Sequence, residues 1–153
     1  MATRTPIPRY VKLANIMTRN LIRAGIPLNG PGASPMYLLT VRGRKSGEPR
    51  TTPIATIEQE GTRYLMTPYG AVDWVRNLRA AGEGTLTRGR RTERFSAHEL
   101  TPDEGGMVIR RFAATDNPIA RFFEIPADAS DEDFVQVATL HPVFRIEPIH
   151  LPG

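Results

Sequence analysis

From Met36 onward the chain is divided into short β-like runs at hairpin spacing, and this restricts the fold more than any other feature. Met36 to Arg42, Thr51 to Glu58 and Thr62 to Thr67 have strand length, with Glu60-Gly61 marking a tight hairpin between the last two. Gly84 to Arg88 and Arg91 to Leu100 alternate around the Gly89 turn as a second hairpin, and His141 to Glu147 reads as a closing strand. Helices interrupt this pattern. Asp73 is expected to N-cap a short helix that buries Trp74, Val75 and Leu78. Thr101-Pro102-Asp103-Glu104 is a capping box with proline at the first helical position, where hydroxyl and carboxylate reciprocally satisfy free amide donors; a helix to about Phe112 follows. Ser130-Asp131-Glu132-Asp133 caps another, with Phe134, Val137 and Ala138 on one face. Short strands with helices inserted between them predict a mainly β, α+β chain: a small antiparallel barrel with helical decorations.

Upstream, Tyr10, Leu13, Ala14, Met17 and Leu21 fall at helical spacing among Lys12, Arg19 and Arg23. This N-terminal amphipathic helix, over residues 10–23, is expected to pack on the barrel as a lid or, being basic, to touch a membrane surface. Gly25, Pro27, Gly30, Pro31, Gly32 and Pro35 then dictate a loop. The expected organisation is a helix and loop over 1–35 and the barrel over 36–153, sharing one core. No apolar run approaches the roughly 20 residues needed to span a bilayer, and no secretory segment is visible, so a soluble cytoplasmic protein is expected. The absence of cysteine excludes disulfides, thiolate zinc sites, iron–sulfur clusters and a catalytic thiol. His98, His141 and His150 lie far apart with no metal-ligand spacing, and no metal is expected.

Charge is distributed unevenly. Residues 1–50 carry nine Arg and Lys against one acid, Glu48, whereas 51–153 carry eleven against fifteen. The basic half suits an anionic partner, although eighteen of the twenty basic residues are Arg, a bias that GC-rich coding produces without selection for binding. The sharpest local feature is Val41-Arg-Gly-Arg-Lys-Ser-Gly-Glu-Pro-Arg50, four cations and two glycines between two expected strands. Such a turn can cradle an anion: Gly43 and Gly47 allow close backbone approach, Ser46 and the amides donate, and Arg44, Lys45 and Arg50 add charge-assisted bonds. It can equally be a solvated hairpin turn. It is not a Walker loop, since Arg44 stands where glycine would precede the lysine, and no G-x-G-x-x-G or G-x-S-x-G occurs.

The ordered series Leu38-Leu-Thr-Val-Arg-Gly-Arg-Lys-Ser-Gly-Glu-Pro-Arg-Thr-Thr-Pro-Ile54, then Tyr64-Leu-Met-Thr-Pro-Tyr-Gly70, then Asp73-Trp-Val-Arg-Asn-Leu78, resembles the deazaflavin-dependent nitroreductase family of actinobacteria. The likeness covers roughly residues 36 to 100, with a weaker echo in His141-Pro-Val-Phe-Arg145. It implies a split β-barrel, akin to the FMN-binding barrel of the pyridoxamine-phosphate oxidases, that binds coenzyme F420 and uses its reduced form to deliver a hydride. By that resemblance Arg44, Lys45, Ser46 and Arg50 receive the phosphate and oligoglutamate tail, and Thr51, Thr52, Pro53, Ile54 and Ala55 lie along the deazaflavin ring. Met66, Thr67, Pro68 and Tyr69 contact the ring from the next strand. Asp73, Trp74, Val75, Arg76 and Asn77 complete the site, with Trp74 as an apolar wall and Asn77 as a polar anchor.

The chemistry so implied is reduction of an activated C=C, such as an enone or quinone, with nitroaromatics as incidental acceptors. A hydride needs aligned donor and acceptor carbons rather than a protein nucleophile, so few catalytic side chains are expected. Tyr69 is the one candidate proton donor; related proteins often carry Ser and Lys at Pro68 and Tyr69, which implies different substrate handling. Tyr37, Tyr69, Phe112, Phe122, Phe123 and Phe134 are candidates for the acceptor pocket, with core packing the expectation for most of them. Two other readings stay open on the same fold: a non-catalytic carrier of F420 or a lipid-like ligand, and an FMN-dependent oxidoreductase. Nucleic-acid binding ranks last, because the basic residues are not interleaved with aromatic stacking platforms. A monomer is expected by analogy.

Overall fold

The computed structural model describes residues 36–67, 72–115, 123 and 125–149. In order these form β1 (Met36–Arg42), β2 (Pro49–Gln59), β3 (Thr62–Met66), α1 (Asp73–Ala81), β4 (Glu83–Arg88), β5 (Arg91–Glu99), α2 (Pro102–Ala113), α3 (Asp131–Leu140) and β6 (Val143–Pro148). The strands close into a barrel in the order β1-β2-β3-β6-β5-β4, with every neighbouring pair antiparallel. The expected mainly β barrel with helices is thus the observed architecture. The expected amphipathic helix over 10–23, together with Pro68, Tyr69 and Phe122, lies outside the described residues. Among the described residues no helix is long and apolar enough to cross a membrane.

Alternation along the strands separates two cores. Leu39, Val41, Ile54, Leu65, Leu86, Phe95, Phe144 and Ile146 fill the barrel, joined by Val72, Val75 and Leu78 from the start and inner face of α1. On the outer face, Ile57, Met66 and Val143 meet Val108, Ile109 and Phe112 of α2, Phe134 and Ala138 of α3, and Phe123. The second cluster requires close helix contact: a Cβ built on Gly106 would stand 3.0 Å from the backbone carbon of Phe134 and from the amide nitrogen of Val135. Burying each of these phenylalanines contributes about 1.5–3 kcal/mol, so the outer helices are held by apolar area.

Helix starts follow the sequence signals with one exception. Thr101 Oγ1 accepts the Glu104 N–H at 3.3 Å while the Thr101 N–H donates to Glu104 Oε1 at 3.3 Å, completing the capping box. Ser130 Oγ accepts from the Asp133 N–H at 3.1 Å. Asp73, however, is not the cap of α1. The N-cap is Val72, whose carbonyl accepts from the N–H groups of Val75 and Arg76 at 3.1 and 3.3 Å, with no side-chain cap. Asp73 is therefore the first helical residue, where a carboxylate complements the helix dipole. At the other end, Arg79 donates from Nε and Nη2 to the two Glu99 carboxylate oxygens at 2.8 and 2.6 Å, tying α1 to β5 and raising the guanidinium pKa.

Candidate functional site

The connection from β1 to β2 is a compact basic turn. Its ends are joined by the Gly43 N–H donating to Glu48 O at 2.7 Å, and its interior by the Gly47 N–H donating to Gly43 O at 2.9 Å. Gly47 has φ 73°, a left-handed conformation that side chains disfavour. Ser46 Oγ accepts the Glu48 N–H at 3.2 Å, and Arg42 Nε donates to Gly47 O at 3.1 Å. Arg42 and Ser46 thus help shape the turn.

Helix α1 fixes this turn in space. Asn77, 4% exposed, accepts at Oδ1 from the Arg44 backbone N–H at 3.1 Å and from Arg44 Nη1 at 2.8 Å. The Arg44 guanidinium also stands 3.8 Å from Asp73 Oδ1, one turn earlier on the same helix face. Arg44 is consequently committed to protein partners. Lys45 and Arg50 are exposed, and among the described residues neither has an ion-pair partner.

Between turn and helix lies an open cleft of about 490 Å³, lined by Val41, Gly43, Arg44, Lys45, Ser46, Arg50, Thr51, Thr52, Val72, Asp73, Trp74 and Asn77. Three cations and one carboxylate line it together with Ser46, Thr51 and Thr52, of which Ser46 Oγ accepts the Glu48 N–H and Thr51 Oγ1 is hydrogen-bonded to Thr40 Oγ1. Val41, Val72 and Trp74 supply apolar wall; the Trp74 ring also packs on Phe144, centroids 6.1 Å apart at 51°, so it is core filler and cleft wall together. This donor set fits an elongated ligand with an anionic end and an apolar, flat portion. Among the described residues no cluster of His, Asp and Glu could hold a metal ion.

The cleft brings together nine of the residues expected to contact a cofactor: Arg44, Lys45, Ser46, Arg50, Thr51, Thr52, Asp73, Trp74 and Asn77. The other described ones are elsewhere. Ile54 and Val75 are buried in the barrel core, and Met66 is buried in the outer cluster, so their side chains pack the protein instead of lining the cleft. Pro53, Ala55 and Arg76 are half-buried away from the cleft lining, and Thr67 is buried. Of the candidate acceptor-pocket aromatics, Phe112, Phe123 and Phe134 belong to the outer core. Tyr37 sits at the far mouth of the barrel, 6.0 Å from the Arg88 guanidinium carbon. There the 2.5 Å hydrogen bond from Arg63 to Glu93 raises the Arg63 pKa. Val72 was missed because its role depends on where α1 begins. His141 was set aside as one of three scattered histidines, yet its Nδ1 lies 2.8 Å from the carbonyl of Thr67.

Residues 11–139 match the family of F420H(2)-dependent quinone reductases. No curated protein matches the chain. Among solved structures, one described as an F420-H2 dependent reductase (FDR-A) is 22% identical, with a TM-score of 0.51 over 75% of this chain and 96% of its own. A second, described as a domain-swapped dimer, is 21% identical with a TM-score of 0.53, covering 90% and 99% of the two chains; it does not match the expectation of a monomer. A third, from Listeria innocua and provisionally assigned as a pyridoxamine 5'-phosphate oxidase, is 10% identical with a TM-score of 0.50 over 75% and 84%. At these identities the structural likeness is one of fold, the split barrel.

Proposed function

The chain belongs to the F420H(2)-dependent quinone reductase family, and from that premise we propose that the cleft between the basic turn and α1 holds the anionic tail of F420 while the deazaflavin extends along β2. The protein is an F420-dependent oxidoreductase. When bound, reduced F420 supplies a hydride; the acceptor we assign is an activated C=C, a quinone foremost or an enone, with nitroaromatics as secondary substrates. A quinone that gains a hydride must also gain a proton, which comes from solvent or from Tyr69.

The observation that carries this reading is the division of labour in the turn. Arg44 is engaged by Asn77 and Asp73, which leaves Lys45 and Arg50 to face an oligoanion across the cleft. An oligoglutamate tail with a phosphate offers several partners to such a cluster, where FMN offers one phosphate. Strand backbone on β2 suits the ring, because amides can meet its polar edge without a titratable side chain. Trp74 shields one side of the cleft from water.

Equilibrium binding of F420 and of FMN at two salt concentrations, with Lys45→Ala and Arg50→Ala alongside, tests the placement. F420 should bind more tightly than FMN, weaken with salt, and lose about tenfold in affinity per substitution, the equivalent of about 1.4 kcal/mol. Equal affinity of both variants and wild type would remove the tail from this turn. Oxidation of reduced F420 by a panel of quinones, enones and nitroaromatics then ranks the acceptors; a panel that leaves bound F420H2 unoxidised would refute the acceptor assignment.

A further inference from the structure

Strand β3 ends at Met66, and Thr67, 1% exposed, is where the chain leaves the barrel toward α1. In the β3–β6 ladder Met66 stands opposite Val143, so one further step would set Thr67 opposite Pro142, which has no N–H to give. A side chain meets the Thr67 carbonyl instead: His141 Nδ1 lies 2.8 Å from it. A carbonyl oxygen only accepts, so Nδ1 carries a proton and the contact selects the tautomer.

His141 reaches this position because of its own neighbour. Proline disfavours helical backbone at the residue before it, so α3 stops at Leu140 and His141 takes φ −126° and ψ 83°. Its backbone N–H still donates to Val137 O at 3.0 Å. The ring makes an edge contact with Phe123, centroids 5.2 Å apart at 67°. The half-buried imidazole is therefore held by a helix end, an aromatic ring and the carbonyl at once.

We propose that His141 is a positioning residue for the F420-dependent reaction: its Nδ1–H fixes the path of the chain leaving β3 and so sets the Met66–Thr67 backbone against the deazaflavin. The inference rests on the cofactor site proposed above and on the family resemblance, which sets those two residues beside the ring. Its effect falls on hydride transfer and not on tail binding, because Lys45 lies in the β1–β2 connection and Arg50 at the start of β2, away from the end of β3. Hydride transfer is sensitive to donor–acceptor misplacement well below the scale that disturbs affinity.

Three variants separate this role from general packing. His141→Asn places an amide N–H near the position of Nδ1, His141→Gln carries it about one bond further out, and His141→Ala removes it. The readouts are the single-turnover rate of F420H2 oxidation by a quinone, the Kd of F420, and amide exchange of the peptide spanning Tyr64 to Val75 in the free protein. For His141→Gln and His141→Ala, the rate should fall about tenfold or more while Kd changes less than about twofold, with faster exchange around Thr67. His141→Asn should restore both the rate and the exchange protection to near wild type. Unchanged rate and exchange in folded His141→Gln, or losses in His141→Asn equal to those in His141→Gln, would overturn the proposal. Failure of the wild type to bind F420 would instead refute the cofactor placement, and amide exchange around Thr67 would still report on the His141 bond.

Discussion

Replacing Asn77 with alanine should loosen the basic turn and, through it, the proposed cofactor site. The side chain is 4% exposed, and its Oδ1 accepts two hydrogen bonds from Arg44, one from the backbone and one from the guanidinium. The guanidinium keeps access to water, its side chain being 26% exposed, so part of its bond is recovered by hydration. The backbone N–H, in a part-buried setting, recovers less. Taking about 1–1.5 kcal/mol for the stranded amide and about 0.5–1 for the guanidinium gives a loss of about 2 kcal/mol. For a chain of this length that corresponds to a fall in Tm of about 4–8 °C. Urea unfolding measures the first figure and calorimetry the second. Affinity for F420 should weaken about tenfold, because Lys45 follows Arg44 directly and loses its fixed direction. A double-mutant cycle with Arg44→Ala isolates the contact, with an expected coupling of about 1 kcal/mol or more. Losses that add within about 0.5 kcal/mol, or an Asn77→Ala protein unfolding within about 0.5 kcal/mol of wild type, would refute the coupling between helix and turn.

Other perturbations test the scaffold. Gly106→Ala gains about 1 kcal/mol of helix propensity yet sets a Cβ 3.0 Å from α3 backbone atoms, so the net change in urea unfolding should be a loss of about 1–2 kcal/mol; stabilisation would mean that the helices can separate freely. Phe95→Ala, in the fully buried barrel core, should cost about 3–5 kcal/mol, and a cost below about 1 would place Phe95 outside the core. Ser130→Ala removes the acceptor for the Asp133 amide and should cost about 1 kcal/mol in chemical denaturation, with no effect expected if water replaces the cap fully. Arg79→Lys breaks the two-pronged contact with Glu99 but leaves a partly exposed ion pair, so stability should fall by at most about 1 kcal/mol; a larger loss would mean that the pair carries the docking of α1.

The barrel was legible in the sequence because its signals are local. Strand lengths, the Glu60-Gly61 hairpin and the Thr101 and Ser130 caps each depend on neighbouring residues, and these match the structure. Boundaries slipped where pairing overrode local preference. β2 begins at Pro49, two residues before the expected Thr51, because Pro49 pairs with Arg42 and a strand's first residue tolerates the missing N–H. The closing strand begins at Val143 and not at His141, since α3 runs up to the residue before His141. The basic turn was visible through its charge and glycines. What sequence could not reveal was that Asn77, 33 positions away, would claim Arg44 and leave Lys45 and Arg50 exposed. Nor could it reveal that Ile54, Met66 and Val75 would be spent on packing, because that depends on the pleat and on which helix covers which face.

The strand order also bears on biosynthesis. β6 lies between β3 and β5, so the last of the described strands to leave the ribosome is the one that joins the two halves of the ring. Until Val143 to Pro148 emerges, the chain carries β3 and β5 as two unpaired edges, each able to template another strand. Nascent chains stalled before Val143, and products clipped there by a protease, would be sticky in a way the finished ring is not, and chaperone engagement should concentrate on that interval.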